Sequence, residues 1–259
     1  MVRDPDGTRR LPSSGTIRSS PVDRVDSALT KKFPPKRVAP EERIFAIRNT
    51  TSIPPFNLDA AVDHLSRKDR TLGSLIRKVG PCELAIATRQ SPYQALAESI
   101  VYQQLTGKAA ATIFARVCKL FNSRGCPSPA KISGASIELL RSAGLSRSKA
   151  AALKDLAAKV AAGDIPTRRA AEKLSDDELV ERLTSVRGVG RWTVEMFLIF
   201  TLGRPDVLPL DDYGVRKGSA RAYGREVLPG PRSSPCKERW RPYRTAASWY
   251  LWRATELES

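Results

Sequence analysis

Histidine is nearly absent from this chain, which carries one, His64, among 259 residues. A Ser-His-Asp triad needs a histidine beside its nucleophile, and many metal centres need several. A lone histidine in a polar, helix-patterned stretch therefore excludes histidine-based triads and multi-histidine metal sites. Cysteine is almost as scarce: Cys82, Cys118, Cys126 and Cys236 are scattered, with no C-x-x-C pair and no close cluster. Neither zinc nor an iron–sulfur cluster is expected, and the four read as reduced intracellular thiols, buried or incidental. Long apolar runs are missing too. No window reaches the roughly 18 uninterrupted apolar residues of a membrane-crossing helix. The N-terminus has Arg, Asp, Pro and Ser where a secretory signal needs an apolar core, so the chain is expected to be neither membrane-spanning nor secreted. Acidic residues are outnumbered, 27 Asp+Glu against 44 Lys+Arg, which leaves a net charge of +17. Such a field attracts polyanions, and nucleic acid is the first partner to test. The 41% hydrophobic content is ample for a buried core.

Residues 1–55 hold Pro5, Pro12, Pro21, Pro34, Pro35, Pro40, Pro54 and Pro55 between Ser, Asp and Arg, and read as a disordered, basic, proline-rich tail. Its run Lys31-Lys32-Phe33-Pro34-Pro35-Lys36-Arg37 has the composition of a nuclear-import signal or a phosphate-seeking arm, although such clusters are more often plain solvated charge. Residues 56–259 read as one helical domain. Ser91-Pro92 is an N-cap with proline at the first helical position, and Leu96, Ile100, Leu105, Ile113, Val117 and Leu120 follow at helical spacing, divided by Gly107. A helix from Ile137 to Ala143 stops at Gly144, and Ser146 opens another that Gly163 closes after Ala162. Ser175-x-x-Glu178 is a capping box for a helix through Thr184, and a last helix fills about 239–256. No stretch sustains a period of two, so the fold class is all-α.

The chemistry concentrates between Leu179 and Lys217. A helix, the turn Gly188-Val189-Gly190 and an intensely apolar helix from Arg191 to Leu202 describe a tight hairpin over about 176–202. Glycines let that turn approach a ligand closely, and the second helix begins there with unpaired amides and its positive dipole end, a seat for phosphate. Asp212 precedes Tyr213-Gly214-Val215-Arg216-Lys217 and has the position of an N-cap.

These residues resemble a known family. Val186-Arg187-Gly188-Val189-Gly190-Arg191-Trp192-Thr193 looks like the helix-hairpin-helix of the DNA glycosylase superfamily, and Val207-Leu208-Pro209-Leu210-Asp211-Asp212 ends where its catalytic aspartate belongs. The likeness is greatest to the 3-methyladenine DNA glycosylase II type. Ser99-Ile-Val-Tyr-Gln103-Gln104-Leu105-Thr-Gly-Lys108 resembles the family's wedge segment, and Arg239-Trp-Arg-Pro-Tyr243-Arg244 through Trp249-Tyr250-Leu-Trp252 its closing helix. The resemblance spans about residues 58–256. Arg187 departs from it, standing where many members have proline, and no N-terminal β-rich domain is expected.

The resemblance implies a monofunctional glycosylase of base excision repair that extrudes alkylated purines, 3-methyladenine and 7-methylguanine, from duplex DNA and leaves an abasic site. Asp212 is its implied catalytic carboxylate, steadying positive charge that builds on the deoxyribose, with Asp211 the adjacent alternative. Trp192 occupies the place where members that also cut the backbone carry a Schiff-base lysine, so water is the implied nucleophile. Trp252, Trp192, Met196, Tyr213, Trp249 and Tyr250 are the candidate base pocket, where an aromatic face would favour a cationic alkylpurine. Gln104 or Leu105 is the wedge that fills the hole left by the base. Gly188, Gly190, Arg191, Lys108 and Lys149 are candidate DNA-backbone contacts. No cofactor is expected for catalysis, while the carbonyls of Thr184, Val186 and Val189 are placed to hold a structural Na+ or K+. A monomer acting in a nucleus, or in the cytoplasm and nucleoid if bacterial, completes the expectation. Glycosylases for other lesions and a non-catalytic DNA-binding hairpin are the alternatives.

Overall fold

A computed structural model describes residues 51–87, 90–224 and 235–257; the expected import signal and most of the expected tail lie outside these residues. Among the described residues the fold is helical, with one exception that the sequence pattern did not announce. Strands β1 (Thr51–Ser52) and β2 (Ile86–Ala87) pair antiparallel, Thr51 opposite Ala87 and Ser52 opposite Ile86. Pro54 is buried, so the folded unit already includes residues assigned to the tail. Two-residue strands are too short to show alternation, which is why a period-two search passes over them.

The helices follow in order: α1 (Leu58–Lys68), α2 (Arg70–Val79), α3 (Pro92–Tyr102), α4 (Gly107–Leu120), α5 (Pro129–Gly134), α6 (Ile137–Ser142), α7 (Arg147–Ala162), α8 (Arg168–Ala171), α9 (Asp176–Thr184), α10 (Arg191–Phe197), α11 (Tyr213–Tyr223), α12 (Pro235–Arg239) and α13 (Arg244–Ala254). Hydroxyl caps set many of their starts. Ser91, Thr106, Ser128, Ser136, Ser146, Thr167 and Ser175 each accept the amide three residues on, which satisfies a donor the helix cannot pair itself.

Three boundaries differ from the sequence reading. The break between α3 and α4 spans Gln103 to Thr106, and Gly107 is the first residue of α4 rather than the divider, because Thr106 supplies the cap. The helix through Leu202 widens into a π-helical stretch over Leu198–Leu202 before Gly203 ends it. The last helix starts at Arg244 rather than near 239, since Pro242 has no amide to continue a helix from α12.

One core joins the layers. Leu65, Leu72, Leu96, Ile100, Leu156, Leu179, Leu183, Val194 and Ile199 are buried in it together with Trp240 and Tyr250. Helix α13 packs on α11, α2 and α1, while α7 packs on α3 and α5. Close approach of α13 to the start of α11 depends on Gly214, where a Cβ would lie 2.7 Å from Trp252 Cδ1 and 3.1 Å from Asp212 Oδ1.

Candidate active site

Asp212 is 1% exposed, and its position follows from the local sequence. As N-cap of α11 its Oδ1 accepts the Val215 amide at 2.8 Å, the structural duty expected of an aspartate at that place. It also gathers two of the three indoles that the family likeness singled out for the base pocket. Trp252 Nε1 donates to Oδ1 and Trp192 Nε1 donates to Oδ2, each at 2.8 Å. Residues from α10, α11 and α13 thus meet on one carboxylate, whose plane these donors fix. Trp252 is held in turn by stacking on Phe200, ring centroids 5.5 Å apart, and Trp192 is half-buried on the first turn of α10.

The other pocket candidates divide. Tyr213, half-buried, is the residue after Asp212, and Met196, also half-buried, lies one turn beyond Trp192 on α10. Tyr250 does not belong to the site. It is fully buried and its hydroxyl donates to the Gly80 carbonyl at 2.9 Å, so it pins α13 to the end of α2. Trp249 is buried edge-on to Tyr250, at 5.0 Å between rings, with the Arg253 guanidinium 5.4 Å over its face. Adjacent residues on a helix point about 100° apart, so Trp249, Tyr250 and Trp252 could not all face one carboxylate. Asp211 is exposed, and its charge acts on Glu195 and the buried Arg216.

Glu195 is a neighbour that the sequence reading missed. It is 8% exposed on α10, ion-paired to Arg191 at 3.1 Å, and burial with the charges of Asp211 and Asp212 pushes its carboxyl up to about 7 against the pull of Arg191. The available signal was a glutamate inside an apolar helix one turn after an arginine, which looks like an ordinary helix-surface pair.

The hairpin ends α9 and opens α10. Gly188 has φ 76°, a left-handed turn in which a Cβ is strained, and Gly190 caps α10 with no side-chain acceptor, leaving that end to its backbone amides. Both glycines are exposed, as are Arg191 and Lys108. Of the three carbonyls considered for a cation, that of Val186 already accepts the Val189 amide at 3.0 Å.

Lys149 is not a free surface cation. It is half-buried, and its ammonium donates to the carbonyls of Val101 at 2.8 Å and Gln103 at 2.7 Å. Burial pulls its pKa below the ordinary lysine value. Of the two wedge candidates, Gln104 is exposed with φ 59° and Leu105 is half-buried.

A cavity of about 550 Å³ lies elsewhere, lined by Tyr93, Cys126, Lys131 and Arg168 among others, and none of the expected site residues borders it. Among the described residues no three metal-binding side chains cluster, and no helix is long and apolar enough to cross a membrane.

Residues 97–242 match the model of the HhH-GPD superfamily base excision DNA repair proteins, and the chain belongs to that family. It is 39% identical over 207 residues to DNA-3-methyladenine glycosylase 1 of Schizosaccharomyces pombe, covering 78% of this chain and 89% of the relative. It is 35% identical over 203 residues to the alkylbase DNA glycosidase-like protein mag2 of the same yeast, covering 76% and 93%. A solved structure of the Schizosaccharomyces pombe 3-methyladenine DNA glycosylase in complex with abasic DNA superposes with a TM-score of 0.66 at 38% identity, covering 76% of this chain and 97% of that one.

Proposed function

We propose that the protein is a monofunctional DNA glycosylase that hydrolyses the N-glycosidic bond of alkylated purines extruded from duplex DNA, leaving an abasic site. The observation that carries the reading is Asp212, held by two indoles from different helices at the place where the family's carboxylate belongs. Departure of a purine leaves positive charge on the deoxyribose, and an anion fixed nearby in low dielectric stabilises that charge and orients the attacking water. Cationic bases such as 3-methyladenine and 7-methylguanine suit this site, because alkylation weakens their own glycosidic bonds and aromatic faces attract their charge. Trp192 offers no amine for a Schiff base, so strand cleavage is not part of the reaction.

The net charge of +17 and the exposed amides at Gly188 and Gly190 support binding of the DNA backbone there, with Arg191 and Lys108 beside them. The carbonyls of Thr184, Val186 and Val189 are the oxygens that would hold Na+ or K+ at the hairpin, and neutral carbonyls suit a hard monovalent ion. The fold and sequence likeness to a glycosylase solved with abasic DNA supports the product. The protein acts as a monomer in this reading, in a nucleus if the cell has one and on the nucleoid otherwise.

The test is Asp212→Asn. Release of 3-methyladenine from methylated DNA should fall by at least about 10²-fold while duplex binding persists. Equal release by variant and wild type refutes the assignment, and binding should weaken steeply with added salt.

A further inference from the structure

The short segment between α3 and α4 is held in a way that its own sequence does not require. Gln104 sits in the left-handed region, φ 59°, although it is not glycine, and such a conformation persists only where the surroundings over-determine it. The surroundings do so here from two directions. The Lys149 ammonium, reaching from α7, binds the carbonyls of Val101 and Gln103 at 2.8 and 2.7 Å, immediately before Gln104, where the end of α3 leaves carbonyls without helical partners. The Gln103 side chain then donates through Nε2 to the Gly188 carbonyl at 2.9 Å, across to the hairpin.

Helix α7 holds the hairpin as well. A Cβ at Gly188 would lie 3.7 Å from the Ala152 methyl, and Asp155 Oδ2 accepts the Arg187 amide at 2.8 Å. Lys149, Ala152 and Asp155 are spaced three apart and share one stripe of α7. That stripe therefore fixes the turn at Gln104 and Leu105 relative to the turn at Gly188.

We propose that Gln103 and Lys149 are positioning residues for base extrusion, tying the wedge turn to the phosphate-seating hairpin so that a grip on the backbone places the wedge in the duplex. The proposal rests on the glycosylase reading and adds to it two residues whose side chains bind backbone carbonyls of the chain itself. A wedge in fixed register contributes when a paired, stacked base must leave the helix and contributes little when the base is already unpaired, because extrusion then costs least.

The experiment uses the full chain and two duplexes, each with a single 7-methylguanine, opposite cytosine in one and opposite a tetrahydrofuran abasic analogue in the other. Single-turnover release is measured for wild type, Gln103→Met and Lys149→Met. On the paired duplex each variant should be slower by about tenfold, and on the unpaired one it should come within about threefold of wild type. No loss on the paired duplex overturns the proposal, as does an equal loss on both, which is the mark of general damage to the site. Thermal unfolding of each variant checks the fold. Should Lys149→Met unfold, Gln103→Met, which removes a single contact at the surface, decides alone. If wild type is active and the variants match it, only this inference fails. A wild type that releases the base from neither duplex sinks the functional reading and this inference with it.

Discussion

Two aspartates in this chain are built alike and are put to different uses. Asp69 caps α2, its Oδ1 accepting the amides of Thr71 and Leu72 at 3.0 Å, while its Oδ2 accepts the Tyr223 hydroxyl at 2.8 Å and Trp240 Nε1 at 3.1 Å. Asp212 caps α11 and likewise takes indole N–H groups. Both are buried, at 5% and 1% exposure. The difference lies in the partners. Trp240 is fully buried and ties α2 to the far end of the chain, so Asp69 is a rivet in the core. Trp192 is half-buried on the first turn of the hairpin helix, so Asp212 is coupled to the surface where a DNA backbone would sit. A buried, indole-held carboxylate is thus not a catalytic signature in itself; its link to the hairpin makes it a candidate.

That contrast can be broken by substitution. Asp212→Asn should have the largest effect, the loss in base release of at least about 10²-fold already described, beside a smaller loss of stability, because asparagine still caps the helix but sets an amide N–H against the Trp192 indole that donates to Oδ2. Asp69→Ala should do the reverse. It removes the acceptor shared by an indole, a hydroxyl and two amides, so unfolding measured in denaturant should be easier by about 2–4 kcal/mol while release per folded molecule stays unchanged. If Asp69→Ala abolished release in fully folded protein, the division between rivet and reacting group would be wrong. Trp192→Phe removes one donor from Asp212 and keeps an aromatic ring, though a smaller one, and release should slow by about fivefold with duplex binding intact.

The smallest effect concerns Glu195. Its carboxyl is raised to about 7 by burial first, opposed by Arg191, with Asp211 and Asp212 pushing further up. Folding therefore favours the neutral form relative to the unfolded chain. That contribution to stability is fully present below the ordinary value of 4.5 and is lost as pH rises through about 7. Glu195→Gln should flatten the decline of the denaturant midpoint across this window. An unchanged slope would show that Glu195 is ionised throughout.

Much of the helical framework could be read from residues whose effects are local. Ser91, Ser146 and Ser175 cap the helices expected of them, and Gly163 closes α7 in the left-handed conformation at φ 84°. The hairpin was legible for the same reason, since Gly188 and Gly190 free the backbone to turn sharply within a few bonds. The pairing of Thr51 and Ser52 with Ile86 and Ala87 was not, because two-residue strands carry no period. Nor could the aromatic cluster of α13 be sorted from composition: Trp249, Tyr250 and Trp252 each join an apolar ring to one polar donor, and helical rotation sends Tyr250 to Gly80 and Trp252 to Asp212.

The sequence by itself determined the charge that seeks a polyanion, many of the helix starts and stops, and the hairpin beside an aspartate, because each depends on neighbours along the chain. Only the tertiary structure decided which aspartate faces the hairpin helix, that Lys149 holds carbonyls instead of meeting solvent, and that Gln103 reaches Gly188 from 85 residues away. These are contacts between distant segments, set by how the helices pack against one another, and packing is a property of the whole core.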